Sequence, residues 1–160
     1  MPEQHRPHHQ TPLILMVDDD PEDIFLTRRA FMGIGWSGQF ESVGSATEMY
    51  DRLGLSGHGA SATARDGSAV IPDIIILDLN MPGINGFEAL ERIGKESGLA
   101  HLPVVVLSTS QADSDVQKAY SLGANSFISK PVSNEGMTRL AERFRDYWFE
   151  LSRLPAVGTG

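Results

Sequence analysis

The chain has 160 residues and a formal net charge of −8, and it contains no cysteine. This length suits one domain with a buried core, and no apolar run approaches the roughly 18 residues of a membrane-spanning helix. The lack of cysteine excludes disulfides and thiolate chemistry and predicts a cytoplasmic protein. The acidic charge argues against nonspecific binding to nucleic acid. We therefore expect neither a nucleic acid nor a membrane as a partner.

Residues 1–12 predict a disordered tail, because they lack the apolar centre of a signal peptide. His5, His8 and His9 lie close together in this stretch. A metal site needs a further ligand and a folded frame, and neither is evident nearby, so a solvated tail is the preferred interpretation. The predicted domain covers residues 13–154, and residues 155–160 form a second short tail.

The alternation of strands and helices begins directly after the first tail. Leu13 to Val17 is an apolar run that predicts a strand, and it ends on three acids, Asp18 to Asp20. The stretch Asp20 to Asp23 predicts a helix start, with a side-chain oxygen at the N-cap, proline at the first helical position and acids in the first turn. We expect this helix to reach about Ile34.

Three weaker segments follow. The stretch FESVGS predicts a second strand, Ala46 to Leu55 predicts a helix, and the Gly-, Ala- and Ser-rich stretch from Gly57 to Val70 predicts a surface loop. Gly33 to Gly38 spells the dinucleotide-binding pattern G-x-G-x-x-G. It follows a helix and precedes a strand, which is the reverse of the order that pyrophosphate binding requires, and we reject it.

The clearest strand of the second half is Ile74 to Leu77, which is preceded by Pro72 and followed by Asp78 and several turn residues. Branched apolar side chains in an unbroken run are typical of a parallel strand that is buried on both faces. The remaining predicted elements are a helix from Gly86 to about Ser97, a strand from Pro103 to Leu107, a helix from Ala112 to Leu122, a strand from Ser126 to Ile128 and a helix from Asn134 to about Arg153.

Five alternations of strand and helix predict a doubly wound α/β domain. We expect five parallel strands in the order 2-1-3-4-5 with helices on both faces, a flavodoxin-like arrangement. The carboxyl ends of such strands share one edge of the sheet, where ligands bind. The side chains that we expect to meet in a crevice at this edge are Asp18, Asp19, Asp78, Ser108 and Lys130.

This set of side chains favours a metal-assisted phosphoryl site. Three neighbouring carboxylates would raise one another's pKa unless a cation held them. Mg²⁺ prefers oxygen ligands and commonly binds through one or two carboxylates beside a phosphoryl group. The plainer alternative, that the acids only cap the first helix, accounts for Asp20 but leaves Asp18 and Asp19 unexplained.

Four motifs resemble the receiver domains of two-component response regulators. They are VDDD at 17–20, ILDLNMPGINGFE at 76–88, PVVVLSTS at 103–110 and FISKP at 127–131, in the order and spacing of that family. The resemblance covers about Leu13 to Leu151. The stretches DDDPEDIFL and YWFELSRLP resemble, more narrowly, the single-domain regulators that pair with bacterial phytochrome histidine kinases.

The resemblance implies how the metal and the phosphoryl group are bound. Asp78 would accept the phosphoryl group, and Asp19 and Asp78 would bind Mg²⁺. Asp18 would assist through a water molecule and Asn80 through its backbone carbonyl group.

The resemblance also implies the switch. Ser108 would hydrogen-bond the phosphoryl group, Lys130 would pair with it, and Phe127 would change rotamer on activation. The peptide bond from Lys130 to Pro131 would be cis, which an X-Pro bond allows at a cost of only about 0.5–1 kcal/mol. Ser108 stands in place of the commoner threonine, and Thr109 stands where many members have a smaller residue.

The implied function is that of a phosphoacceptor, which catalyses only its own phosphotransfer and dephosphorylation. A sensor histidine kinase would supply the phosphoryl group, and output would pass through protein contacts because no effector domain is expected after Leu154. A phosphohydrolase of the haloacid dehalogenase type would need a second aspartate, two residues after Asp78, as general acid. This sequence has Asn80 there, which argues against such an enzyme. A receiver-fold interaction protein without phosphotransfer is the remaining alternative, and the intact set of acids, hydroxyl and lysine argues against it.

The final helix predicts a homodimer. About twenty residues from Asn134 to Arg153 would run roughly 30 Å, which is longer than a short sheet requires. With Phe149 expected to point away from the inward-facing stripe, the overhanging end would expose a cluster of apolar side chains that is typical of an interface. Its members are Tyr147, Trp148, Phe149, Leu151 and Leu154. The alternative is that these side chains fold back over the domain's own helices.

Overall fold

The computed structural model describes residues 11–55 and 71–155, which fold around one five-stranded parallel sheet. The strands lie in the order β2-β1-β3-β4-β5, so the predicted fold class and strand order are confirmed. Their bounds are β1 Leu13–Val17, β2 Gln39–Val43, β3 Ile74–Leu77, β4 Val104–Ser108 and β5 Ser126–Ser129. The predicted loop from Gly57 to Val70 lies outside the described residues, as do residues 1–10 and 156–160 of the two predicted tails.

Five α-helices alternate with the strands, and their bounds are α1 Pro21–Gly33, α2 Ala46–Arg52, α3 Gly86–Lys95, α4 Asp113–Ser121 and α5 Asn134–Arg145. Four of them begin where a polar side chain accepts a hydrogen bond from a first-turn N–H group, as N-caps do. These caps are Asp20, Ser45, Asn85 and Ser133. Within the described ranges, no helix combines the length and the apolar character needed to cross a bilayer.

Alternate residues of each strand enter two separate cores on opposite faces of the sheet. In β1, Ile14 and Met16 join the core that contains residues of α1 and α5, whereas Leu15 and Val17 join the core that contains residues of α2, α3 and α4. Because helices cover both faces, both sets of side chains are excluded from water. This double burial explains why the strands appear in the sequence as unbroken apolar runs.

The strand register brings the functional candidates to one edge of the sheet. Val17 lies beside Leu77, so Asp18 and Asp78, which follow these residues, leave neighbouring strands at the same level. Ser108 ends β4 and is aligned with Ser129, which Lys130 follows. The strand register therefore places these residues at one edge of the sheet.

The C-terminal helix departs from the prediction. The α-helical part ends at Arg145, and Asp146–Leu151 continues as a π-helix, in which each N–H bonds to the carbonyl five residues before it. The N–H of Ser152, for example, donates to the carbonyl oxygen of Tyr147 at 2.7 Å. Wider turns rotate the later side chains relative to those of a regular α-helix.

This rotation corrects the expected orientation of Phe149. Its side chain is only 8% exposed, and its ring centroid lies 5.3 Å from that of Trp36 and 6.3 Å from that of Phe144. The prediction that Phe149 points outward into a dimer interface is therefore wrong. Trp148 is half-buried, while Tyr147 and Leu151 are 54% and 77% exposed.

Candidate functional site

Three carboxylates converge where β1 and β3 end. Asp18 and Asp19 follow β1, and Asp78 follows β3. One carboxylate oxygen from each residue lies within 4.8 Å of the other two. Asp18 and Asp78 are buried and Asp19 is exposed, so the cluster is open to water on one side.

The three consecutive acids after β1 have different local partners. The N–H of Asp20 donates to Oδ1 of Asp18 at 2.9 Å, which fixes the turn out of the strand. The N–H of Glu22 donates to Oδ1 of Asp20 at 2.9 Å, so Asp20 is the N-cap of α1, as predicted. Asp18 and Asp19 do not cap the helix, and their carboxylates belong to the cluster with Asp78.

The loop after Asp78 is built around close backbone contacts. The N–H of Asn80 donates to Oδ1 of Asp78 at 3.2 Å, and the N–H of Gly86 donates to the carbonyl oxygen of Leu79 at 3.0 Å. A Cβ atom at Gly86 would overlap the carbonyl oxygen of Asp78 and the Cα of Leu79. Gly83 has a φ of 78°, a conformation that glycine adopts readily. The turn residues after the strand therefore hold the Asp78 backbone close to the start of α3.

Lys130 carries positive charge into the cluster from the end of β5. Its Nζ lies 2.8 Å from Oδ2 of Asp23, 3.1 Å from Oδ2 of Asp18 and 3.7 Å from Oδ1 of Asp78. Its backbone N–H donates to the carbonyl oxygen of Ser108 at 2.9 Å, which ties the residue to the end of β4. The peptide bond to Pro131 is trans, so the expectation of a cis bond is wrong.

The pKa values reflect burial and charge. Burial raises the pKa of Asp18 from 3.8 to about 6, and the charge of Asp78 adds to this, against the hydrogen bonds from Asp20 and Lys130, which lower it. Burial by itself lowers the pKa of Lys130, but the hydrogen bond to Asp23 and the charges of Asp78 and Asp18 outweigh it, so the pKa of Lys130 is raised. The lysine therefore does not offset the effect of burial on Asp18.

The residues present fit a hard divalent cation. The donors are carboxylate oxygens, and burial, with the charge of Asp78 adding to it, raises the pKa of Asp18, so a cation beside Asp18 would favour its charged form. Mg²⁺ and Mn²⁺ both prefer oxygen ligands. Asp18, Asp19 and Asp78 are the residues that would surround such an ion.

Ser108 and Phe127 lie in the neighbouring strands β4 and β5. Ser108 is fully buried, and its Oγ accepts a hydrogen bond from the N–H of Ser110 at 3.1 Å. Phe127 is half-buried, and its side chain packs against the core beneath α2, α3 and α4. The N–H of Phe127 donates to the hydroxyl of Tyr120 at 3.1 Å, which links β5 to α4.

The family model described as the response regulator receiver domain matches residues 14–142, which is most of the chain. The chain belongs to this family. The receiver domain is 34% identical over 143 residues to the probable methanogenesis regulatory protein FilR2 of Methanothrix harundinacea, covering 89% of this chain and 87% of FilR2.

Two further response regulators, one of which is a phytochrome response regulator, are also similar to this receiver domain. The crystal structure of the phosphorylated cyanobacterial phytochrome response regulator RcpA matches with a TM-score of 0.79 and 29% identity, covering 92% of this chain and all of RcpA. The response regulator Rcp1 of Synechocystis sp. is 35% identical over 86 residues, which cover 54% of this chain and only 58% of that protein. The Mn²⁺-bound form of Rcp1 matches with a TM-score of 0.75 and 26% identity, covering 91% of this chain and 99% of that one.

One residue of this receiver domain's site is not predicted from the sequence. Asp23 was assigned only to the first turn of α1, yet its carboxylate makes the shortest of the three contacts with Lys130. Its place in the first turn of a helix that starts at the crevice is the signal that would have identified it. The other predicted crevice residues, Asp18, Asp19, Asp78, Ser108 and Lys130, all lie at the carboxyl edge of the sheet.

Proposed function

We propose that this receiver domain accepts a phosphoryl group on Asp78 from a sensor histidine kinase. The observation that carries the proposal is the arrangement around Asp78, a buried strand-end carboxylate that lies beside two further acids and 3.7 Å from the Lys130 ammonium group. A carboxylate oxygen of Asp78 would attack the phosphorus atom of a phosphohistidine. The P–N bond would break and the imidazole would leave, so that Asp78 becomes an acyl phosphate.

Mg²⁺ is the cofactor that suits this chemistry. Asp19 and Asp78 would bind it directly, Asp18 through a water molecule and Asn80 through its backbone carbonyl group. When bound, the ion supplies positive charge to the oxygens of the transferring phosphoryl group. Lys130 would pair with the same oxygens from the other strand end, and the Ser108 hydroxyl would donate a hydrogen bond to them.

Output would follow from the movement of Ser108 toward the phosphoryl group. Ser108 and Phe127 lie on adjacent strands, and a shift of Ser108 would leave room for the Phe127 ring to turn inward. The N–H of Phe127 already bonds to Tyr120 of α4, so the change would reach the surface formed by α4, β5 and α5. A partner protein would recognise that altered surface.

A homodimer through the C-terminal segment is the second part of the proposal. Tyr147 and Leu151 are exposed, and Tyr147 lines a cleft of about 440 Å³ on α5 and β5. Its lining includes Ile128, Leu140 and Trp148. The lining also includes Arg139 and Arg143, and apolar, aromatic and arginine side chains together are a typical interface composition. Phe149 is not included in this interface, because it is buried.

We infer that the kinase is of the phytochrome type and that the protein acts in the cytoplasm. The similarity to RcpA, a phytochrome response regulator, supports the kinase class. The domain would catalyse only its own phosphorylation and dephosphorylation.

The deciding experiment is incubation with acetyl phosphate and Mg²⁺, followed by intact-mass measurement. We expect the wild type to gain the mass of one phosphoryl group and Asp78→Asn to gain none. Asp113→Asn, which changes an exposed acid at the start of α4, is the matched control and should label like the wild type. The alternative, a receiver-fold interaction protein without phosphotransfer, would leave all three proteins unlabelled.

A further inference from the structure

The Lys130 ammonium group is held most closely by an acid outside the carboxylate cluster. The distance from its Nζ to Oδ2 of Asp23 is 2.8 Å, against 3.1 Å to Asp18 and 3.7 Å to Asp78. Asp23 is not among the three acids whose oxygens converge within 4.8 Å. It therefore contacts the lysine without belonging to the group that would hold a cation.

The carboxylate of Asp23 is carried by a rigid helix start. Asp20 caps the first turn of α1 through the N–H of Glu22, and the turn out of β1 is fixed by the bond from Asp20 to Asp18. The hydroxyl of Thr27, which is fully buried, donates to the carbonyl oxygen of Asp23 at 2.7 Å. The Lys130 side chain is 12% exposed and that of Asp23 is 33% exposed, so the contact is partly shielded from water.

We propose that Asp23 is a positioning residue that holds Lys130 in the unphosphorylated domain and competes with the phosphoryl group for it. The inference rests on the proposed phosphoacceptor role of Asp78. In the unphosphorylated domain, Asp23 neutralises part of the lysine charge and so reduces its repulsion of a nearby cation. After phosphorylation, the ammonium group divides its hydrogen bonds between Asp23 and the phosphoryl oxygens.

Removing the Asp23 charge therefore changes two affinities in opposite directions. In Asp23→Asn, the full lysine charge faces the cluster and repels Mg²⁺, so Mg²⁺ should bind more weakly. The freed lysine should bind a phosphoryl mimic more tightly once Mg²⁺ is saturating. A partly shielded charge pair predicts a change of about two- to fivefold in each dissociation constant. A loss of stability would not produce opposite effects on the two ligands.

The test uses isothermal titration calorimetry with Mg²⁺, followed by titration with beryllofluoride at saturating Mg²⁺ monitored by amide NMR. Glu22→Gln is the matched control, because it removes the same charge from the adjacent residue of the same helix turn, whose side chain is exposed. We expect the control to behave like the wild type. Asp23→Glu, which restores the carboxylate, should recover part of both effects.

A double-mutant cycle with Lys130→Met tests whether Asp23→Asn changes beryllofluoride affinity through the lysine. Asp23→Asn should no longer alter beryllofluoride affinity when Lys130 is absent, and an effect that persists in that background overturns the inference. It is also overturned if Asp23→Asn and Glu22→Gln change both affinities equally, since net charge alone would then explain them. If the wild type binds beryllofluoride and Asp23→Asn binds it with the same affinity, the inference is overturned and the proposed function stands. A wild type that never binds beryllofluoride overturns both.

Discussion

The rings of Trp36 and Phe149 lie 5.3 Å apart and join the loop after α1 to the π-helical end of the C-terminal helix. Both side chains are buried. Phe31 lies 5.6 Å from the Trp36 ring and 5.5 Å from the Phe144 ring, so the contact continues into the core between α1 and α5. The segment beyond the family match is thus part of the hydrophobic core.

Phe149→Ala should lower the free energy of unfolding by about 3–5 kcal/mol, because it removes a large buried side chain and leaves a cavity. Urea denaturation followed by tryptophan fluorescence measures this directly. Leu151→Ala, two residues along and exposed, is the control and should change the free energy by no more than about 0.5 kcal/mol. Similar small effects in both variants would show that the C-terminal segment does not pack as described.

The sequence could not predict this contact. Helical periodicity assumes 3.6 residues per turn, and on that assumption Phe149 faces away from Phe144. The wider turn over Asp146–Leu151 instead places Phe149 against Trp36, which lies far away in the chain. The strands could be predicted because burial on both faces requires unbroken apolar runs, and these can be recognised in the sequence alone.

The candidate site could also be predicted in part from the sequence. Asp18, Asp78 and Ser108 end or follow strands, and topology alone brings strand ends to one edge. Asp23 lies one turn into a helix, and its contact with Lys130 depends on how α1 packs against the sheet. A pattern of residue types cannot supply that packing angle.

Asp18→Asn should stabilise the metal-free domain at neutral pH. The pKa of Asp18 is raised by burial from 3.8 to about 6, so between these pH values the folded state holds a proton that the unfolded chain has lost. The free energy of unfolding therefore falls as the pH rises through this window, by on the order of 2–3 kcal/mol in total. The asparagine variant should lack this part of the pH dependence.

Thermal and urea unfolding of both proteins between pH 4 and pH 8, in the presence of a chelator, tests this prediction. Saturating Mg²⁺ should stabilise the wild type by mass action and should stabilise the variant less. If the two pH profiles run parallel, Asp18 does not carry a raised pKa in the folded domain.

Gly86→Ala should disturb the phosphoacceptor loop. A methyl group at this position would overlap the backbone of Asp78 and Leu79, so the loop must move. We expect a loss of about 1–3 kcal/mol in stability, as in other overpacked sites, together with weaker Mg²⁺ binding. Gly33→Ala is the control, since a Cβ atom there meets nothing within 4 Å at the end of α1. Unchanged Mg²⁺ affinity in Gly86→Ala would mean that the loop position does not matter for the cation.

The proposed homodimer predicts that exposed and buried side chains of the C-terminal segment have different roles. Tyr147 and Leu151 are exposed, and Tyr147 lines the cleft on α5 and β5, whereas Phe149 is buried within one domain. Placing a charge on the exposed pair should therefore weaken association without unfolding the domain. We expect Tyr147→Asp and Leu151→Asp each to raise the dimer dissociation constant by at least about tenfold, because an unpaired charge would be desolvated at the interface.

Sedimentation velocity over a range of protein concentrations, with and without beryllofluoride and Mg²⁺, measures this effect. Phe25→Asp is the control, since it places the same charge on an exposed apolar residue of α1, away from the cleft. The control should associate like the wild type, and all three variants should keep the wild-type midpoint in urea under monomeric conditions. A wild type that remains monomeric at tens of micromolar in every condition would refute the dimer. Association that Phe25→Asp weakens as strongly as Leu151→Asp would instead place the contact on a different face of the domain.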